Sequence, residues 1–279
     1  MNVSEIFGFG VDNHSDEAWA GRMQRSCRFR NGACTKSSKT DPIGICSVSD
    51  GREAASLCPV RFLEDGHLFR DAARIAFGAT SRFSVFPEIR ILQVPDPKKA
   101  GSLKKIGKVD FVLGKVAGTD ILDFCAVEVQ AAYFSGNETR SLLKYYLKNK
   151  EFGSHDTFRR PDFRSSAQKR LIPQLQLKVP VFRRWGKKFF VVVDSQFFRS
   201  LPEFRTTSPA NSEVTWLVYP LTLGEKNYAM DTVQPVFTEW DDVQTSLREG
   251  RAPDQSEILS ELQLKFAAKG KNTATIFDC

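Results

Sequence analysis

The sequence predicts an α/β fold with a mixed central sheet flanked by helices. Three observations carry this expectation. Two adjoining runs, Lys108 to Val116 and Ile121 to Ala131, have strand character and are joined at Ala117-Gly118-Thr119. Apolar residues recur at helical spacing at Leu142, Leu143, Tyr146 and Leu147. The unbroken run Phe189-Phe190-Val191-Val192-Val193 is typical of a strand covered on both faces.

Taken in order, Leu68 to Phe77 reads as a short helix and Val85 to Val94 as a strand, with Pro87 near its start. The two hairpin strands follow. Glu138 to Lys150 reads as a helix, and Ser165 to Leu177 as another despite Pro173. Phe189 to Asp194 is the next strand. Helix, three strands, two helices and a strand make a mixed α/β core. Past a loop containing Pro202, Pro209 and Asn211, strands are expected at Glu213 to Leu223 and Val233 to Glu239. A helix begins near Asp241, and a last one, capped by Asp254, covers Gln255 to Ala268. Three regions differ in character: 1–62, loop-rich and short of periodic apolar runs; 63–200, the most regular; and 201–279, a C-terminal α+β extension packed on the core. The first region is expected to need a staple to fold.

The chain has 279 residues, 41% of them hydrophobic and 26% charged, which suits a folded globular protein. No stretch approaches the roughly 20 apolar residues of a membrane span, and Met1 to Gly10 has no signal-peptide pattern, so a cytoplasmic protein is expected. The formal net charge is +7. Between Arg140 and Phe190 there are 14 Lys and Arg against three acids, interleaved with Tyr145, Tyr146, Phe152, Phe158, Phe163, Phe182 and Trp185. Such a stretch suits a polyanion; a solvated helix face has the same composition.

Side chains on a strand repeat direction every two residues, so Glu128 and Gln130 share a face. Asp110 lies on the preceding strand of the hairpin, and the right register brings all three to one end of the sheet. Two carboxylates at one spot attract Mg²⁺. Charges set among Phe, Val and Leu are costly without a metal or partner to compensate them. A solvent-facing hairpin with one polar face would show the same spacing. Glu88, on the strand before, is a further ligand candidate or an edge residue paired with Arg90 or another neighbour.

Six cysteines are present, and Cys27, Cys34, Cys46 and Cys58 fall within 32 residues. Four thiolates can close a tetrahedral zinc or iron site. The spacing is looser than a zinc knuckle, and His14 is the weaker candidate ligand.

Several separated segments together resemble the NotI-type restriction endonucleases, a branch of the PD-(D/E)xK nucleases with an N-terminal four-cysteine metal module. They include Gly32-Ala33-Cys34-Thr35-Lys36, Pro42-Ile43-Gly44-Ile45-Cys46, Cys58-Pro59-Val60-Arg61-Phe62, Phe86-Pro87-Glu88-Ile89-Arg90, Gly107-Lys108-Val109-Asp110, Val127-Glu128-Val129-Gln130-Ala131, Ile172-Pro173-Gln174-Leu175 and Arg184-Trp185-Gly186-Lys187-Lys188. The resemblance implies a restriction-endonuclease-like core at 63–200 behind a metal module at 1–62. It implies a homodimeric, Mg²⁺-dependent type II enzyme that cuts both strands of double-stranded DNA at a specific palindromic site, GC-rich sequence being a candidate, with a cognate methyltransferase as a companion. It assigns Asp110, Glu128 and Gln130 to the nuclease motif, Glu88 as an acidic accessory, and Cys27, Cys34, Cys46 and Cys58 to a structural iron or zinc. Gln130 stands where Lys is usual in the superfamily. Phosphate stabilisation then falls more on the metal and on nearby bases, with Lys144, Lys169 and Arg170 as candidates.

Two other readings compete. One is a nuclease of the same fold without sequence specificity, acting in repair or defence. The other is a non-catalytic, metal-stabilised DNA-binding protein, which the carboxylates disfavour because they would repel phosphate.

Overall fold

The densest β-branched and aromatic runs become a six-stranded mixed sheet in the computed structural model, which describes residues 2–38, 40–51, 53–99, 101–133, 138–152, 161–248 and 254–267. His155, Phe158, Arg159, Arg160 and Cys279 lie outside the described residues.

The N-terminal part runs β1 (Asn2–Ile6), β2 (Phe9–Gly10), α1 (Asp16–Met23), β3 (Ser26–Cys27), β4 (Gly32–Ala33), β5 (Ile45–Ser49) and β6 (Ala54–Ser56). A 3-10 segment, Pro59–Gly66, leads into α2 (His67–Phe77). The long strands β7 (Phe83–Pro95), β8 (Leu103–Ala117) and β9 (Asp120–Val129) follow, then α3 (Glu138–Asn149), α4 (Phe163–Ser166) and α5 (Ile172–Arg184). The chain continues through β10 (Phe189–Asp194), α6 (Ser195–Arg199), β11 (Val214–Tyr219), β12 (Leu221–Leu223), β13 (Tyr228–Met230), β14 (Gln234–Thr238), α7 (Trp240–Arg248) and α8 (Gln255–Ala267). Met1–Leu247 forms one compact unit; α8 belongs to a second, Arg248–Cys279.

The main sheet has the order β14-β11-β10-β9-β8-β7. β10 is parallel to both β9 and β11, and the remaining pairs are antiparallel. The crossover from β9 through α3, α4 and α5 returns the chain beside β9, as a parallel pair requires. Every residue of β10 is buried, which explains its unbroken apolar run. On one face of the sheet, Leu175, Val179 and Phe182 of α5 pack with Ala126, Phe189 and Val191. On the other, Leu68, Ala72 and Ala73 of α2 pack with Cys125, Val127, Phe190 and Val192.

The helix expected at Ser165 to Leu177 is longer and less regular. It runs from α4 through a π turn, Ala167–Leu171, into α5, with Pro173 in the first turn of α5. Proline is tolerated there because a first-turn N–H has no regular helical partner to lose.

The first 62 residues correct the expectation of a coreless segment. They hold a four-stranded sheet, order β2-β1-β5-β6, with Val3, Ile6, Phe7, Ile45, Val48, Ala55 and Leu57 buried. Strands of two to five residues buried on both faces show no alternation, so their period is invisible in sequence. This sheet is tied to the core by Asp194, whose carboxylate accepts from Ser56 N at 2.9 Å and caps α6 through Phe197 N at 2.8 Å.

Candidate active site where strands β8 and β9 part

The β8–β9 ladder pairs Phe111 with Val127 and runs outward to Ala117 and Asp120. One further step of that register sets Asp110 beside Glu128. Here backbone pairing stops, and Asp110 Oδ2 accepts from Val129 N at 2.9 Å. The side chain thus takes a donor that the neighbouring strand has released, which fixes the carboxylate at the split.

Glu128 is only 2% exposed. Its Oε1 accepts from Lys178 Nζ at 2.7 Å, and Gln174 Oε1 accepts from the same ammonium at 2.9 Å. Its Oε2 is buried and has no hydrogen-bond partner among the described residues. Burial pushes the Glu128 carboxyl up to about 7, Asp110 adds to the rise and Lys178 opposes it. Burial also raises Asp110, against the pull of Val129 N, Lys178 and Lys108. Two carboxylates that disfavour each other's charge, one with a bare buried oxygen, suit a divalent cation. Among the described residues no group of three or more His, Cys, Asp or Glu side chains is set to hold a metal. Mg²⁺ is ordinarily bound by one or two carboxylates, with water and substrate phosphate completing its shell, so Asp110 and Glu128 fit it.

Glu88 lies across from Asp110 in the β7–β8 register, between the pairs Pro87–Phe111 and Ile89–Val109. Its backbone has φ 61°, an uncommon conformation for a residue with a Cβ. Its Oε1 accepts from Lys108 Nζ at 2.7 Å, and this contact holds the carboxyl below its usual range. The partner is therefore Lys108 and not Arg90. Gln130, one residue past β9, is buried, and its Nε2 donates to Ala131 O at 2.7 Å. Asp110, Glu128 and, through its charge, Glu88 come together, while the Gln130 amide is turned onto its own backbone.

Lys178 is the residue that sequence reasoning missed. It shares a helical stripe with Leu175, Val179 and Phe182, so it is a lysine at a core position, and that was its readable signal. The three cations considered from sequence do not take this place. Arg170 lies over the Tyr133 ring at 4.2 Å, and Lys144 and Lys169 are exposed. Part of the basic stretch is also neutralised internally: Arg183 pairs with Glu213 and Asp241, and Lys187 with Asp123.

The four clustered cysteines lie on separate pieces of the N-terminal unit. Cys27 pairs with Gly32 across β3 and β4, Cys34 follows β4, Cys46 is in β5, and Cys58 precedes the 3-10 segment. Burial raises the Cys27, Cys34 and Cys46 thiols, Cys46 well above its ordinary value, and neighbouring cysteines add to each rise. The thiols are therefore electrostatic neighbours. Lys36 Nζ reaches in among them, donating to Ile45 O at 2.9 Å and Leu57 O at 2.8 Å. Gly44, two residues before Cys46, has φ 72°, and a Cβ there would strike the Phe7 ring. The soft sulfur donors suit zinc or iron, although they do not stand as a closed ligand cage.

The family model described as restriction endonuclease NotI matches residues 20–231. The chain belongs to the NotI restriction endonuclease family. The matched span contains all four clustered cysteines, Glu88, Asp110, Glu128, Gln130 and Lys178. A search of curated proteins finds no match. Membership in the NotI family makes the chain a restriction endonuclease, a hydrolase that acts on double-stranded DNA, and such enzymes generally use Mg²⁺. Among the described residues no helix is long and apolar enough to cross a membrane.

Proposed function

We propose that the chain is a type II enzyme cutting both strands of a specific palindromic site, with Mg²⁺ held by Asp110 and Glu128 in a PD-(D/E)xK-type centre. The observation that carries this reading is the bare, buried Oε2 of Glu128, next to Asp110 and opposite the lysine that occupies Oε1. Mg²⁺ supplies Lewis-acid polarisation of the phosphodiester and lowers the pKa of a water nucleophile. Asp110, clamped by Val129 N, keeps its carboxylate at the parting of the strands. Glu128 supplies the second carboxylate. Lys178, braced by Gln174, keeps Glu128 in place and provides the positive charge that Gln130 cannot. In a dry site such a preorganised charge would favour the negative charge that develops on the phosphate. Glu88 and Gln130 complete the constellation as an accessory carboxylate and a neutral amide.

The proposal extends to a structural iron or zinc on Cys27, Cys34, Cys46 and Cys58, which would brace residues 1–62 against the nuclease core at 63–200 and the extension at 201–279. It also extends to a homodimer, because a palindromic site presents two equivalent strands, and to a methyltransferase acting on the same site.

The test is cleavage of long DNA in Mg²⁺ followed by sequencing of the ends. Discrete ends sharing one palindrome are expected, and Asp110→Asn or Glu128→Gln should abolish them while DNA binding persists. Cleavage at wild-type rate in both variants would overturn the assignment. Random ends would favour the non-specific nuclease, and tight binding without cutting in any divalent metal would favour the DNA-binding protein.

A further inference from the structure

Strands β7 and β8 are longer than the sheet that holds them. Their pairing runs from Phe83–Lys115 to Pro95–Leu103, whereas β9 joins β8 only from Phe111 onward. The rows from Ile89–Val109 to Pro95–Leu103 therefore form a two-stranded ribbon with no third strand among the described residues. At 3.3–3.4 Å per residue its six steps extend about 20 Å. The root of this ribbon is the row that holds Glu88 and Asp110.

The ribbon is basic. Residues 89–109 contain Arg90, Lys98, Lys99, Lys104, Lys105 and Lys108 against a single acid, Asp96. That acid is engaged in the turn, where its Oδ1 accepts from Lys98 N at 2.9 Å. Lys98, Lys99, Lys104 and Lys105 are exposed and form no ion pair among the described residues, in contrast to Lys108, which Glu88 holds. Holding four lysines unpaired on a thin projection is unfavourable by mutual repulsion and contributes nothing to the core, so a polyanionic partner is the physical reason to keep them. One edge of the ribbon is backed by α5, where Ile91, Leu92 and Gln93 meet Pro180, Val181, Arg184 and Trp185 around a cleft of 610 Å³. The cleft sets Arg184 beside the ribbon.

We infer that the β7–β8 ribbon is a DNA-binding arm that lies along the duplex next to the scissile phosphate. A two-stranded ribbon fits the major groove of B-DNA, about 12 Å wide. The four free lysines contact the phosphates that wall that groove, and the root delivers Asp110 to the strand being cut. The inference rests on the nuclease reading and deepens it, because it names the element that holds the substrate in place.

The test uses the full chain in Ca²⁺, which permits binding to a mixed-sequence duplex to be followed by fluorescence anisotropy at several salt concentrations. The arm variant carries Lys98→Gln, Lys99→Gln, Lys104→Gln and Lys105→Gln. A control carries Lys226→Gln and Arg205→Gln, exposed residues outside the ribbon. Each lost phosphate contact should lower the slope of log K against log salt by about 0.9, giving a drop of up to about 3.6 and at least a tenfold loss of affinity near 0.1 M salt. The control should keep the wild-type slope, and circular dichroism should show the arm variant folded, since all four lysines are exposed. A wild type that binds and cuts DNA, with an arm variant equal to it in slope and affinity, would overturn the arm alone. A wild type that binds no duplex would overturn the nuclease reading and the arm together.

Discussion

Lys178 Nζ on α5 stands 2.7 Å from Glu128 Oε1 on β9, joining residues 50 apart in sequence at a site where both are nearly inaccessible. In the proposed centre this contact would supply the cation that Gln130 cannot. It leaves one carboxylate oxygen satisfied and the other bare, and it determines how the site responds to mutation and to pH.

Replacing Lys178 by Met should slow Mg²⁺-dependent cleavage about 10²- to 10³-fold, the range seen when one preorganised charge-stabilising donor is removed. At pH 8 the variant should also lose about 3 kcal/mol of stability, because a buried carboxylate loses its partner. Adding Glu128→Gln should restore most of the stability and none of the activity. Single-turnover cleavage and denaturant melts read the two effects separately. Full activity in Lys178→Met would remove Lys178 from the chemistry.

Glu128 predicts a pH effect of defined sign. Its folded value of about 7 lies above its ordinary 4.5, so the fold favours the protonated form. In metal-free protein its contribution to stability is whole below about pH 4.5 and is lost as pH rises through about 7. Melting temperatures of wild type and Glu128→Gln, compared from pH 5 to pH 8, should diverge as pH rises. Mg²⁺ should stabilise the wild type progressively more across that window, since only the ionised carboxylate binds the cation. A Mg²⁺ effect equal at pH 5 and pH 8 would contradict this.

Asp110 serves both as a charged group and as an acceptor for Val129 N. Asp110→Ala should therefore destabilise the protein by about 1–3 kcal/mol, leaving that amide unpaired. Asp110→Asn retains an acceptor and should melt close to wild type, with cleavage lost in both. Equal melting of the two variants would show that the Val129 contact contributes no stability.

The four clustered thiols predict a metal in the purified protein. Elemental analysis should find one zinc or iron per chain, absent from Cys46→Ser. Because burial holds the thiols protonated, loading metal into the stripped protein should release protons. A wild type without zinc or iron that melts at the same temperature as Cys46→Ser would dispose of the metal module.

The strands from Val85 to Ala131 and from Phe189 to Asp194 were readable in the sequence because each carries alternation or an apolar run that only a sheet can bury. Asp110 and Glu128 were readable because carboxylates are costly among Phe, Val and Leu. The N-terminal sheet was not, since strands of two to five residues are too short to show a period. The basic run at 140–190 was visible as composition, but sequence could not show that Lys178, Arg183 and Lys187 are held by acids from other elements. Composition likewise did not distinguish the lysines of the β7–β8 ribbon, because their freedom depends on where β9 stops pairing. By itself the sequence determined the mixed α/β class and the family, and it singled out Asp110 and Glu128 as candidate ligands, because these follow from local pattern and residue chemistry. Only the tertiary structure decided which cation meets Glu128 and which of its oxygens stays bare, because those contacts join α5 to β9 across the full β9-to-β10 crossover.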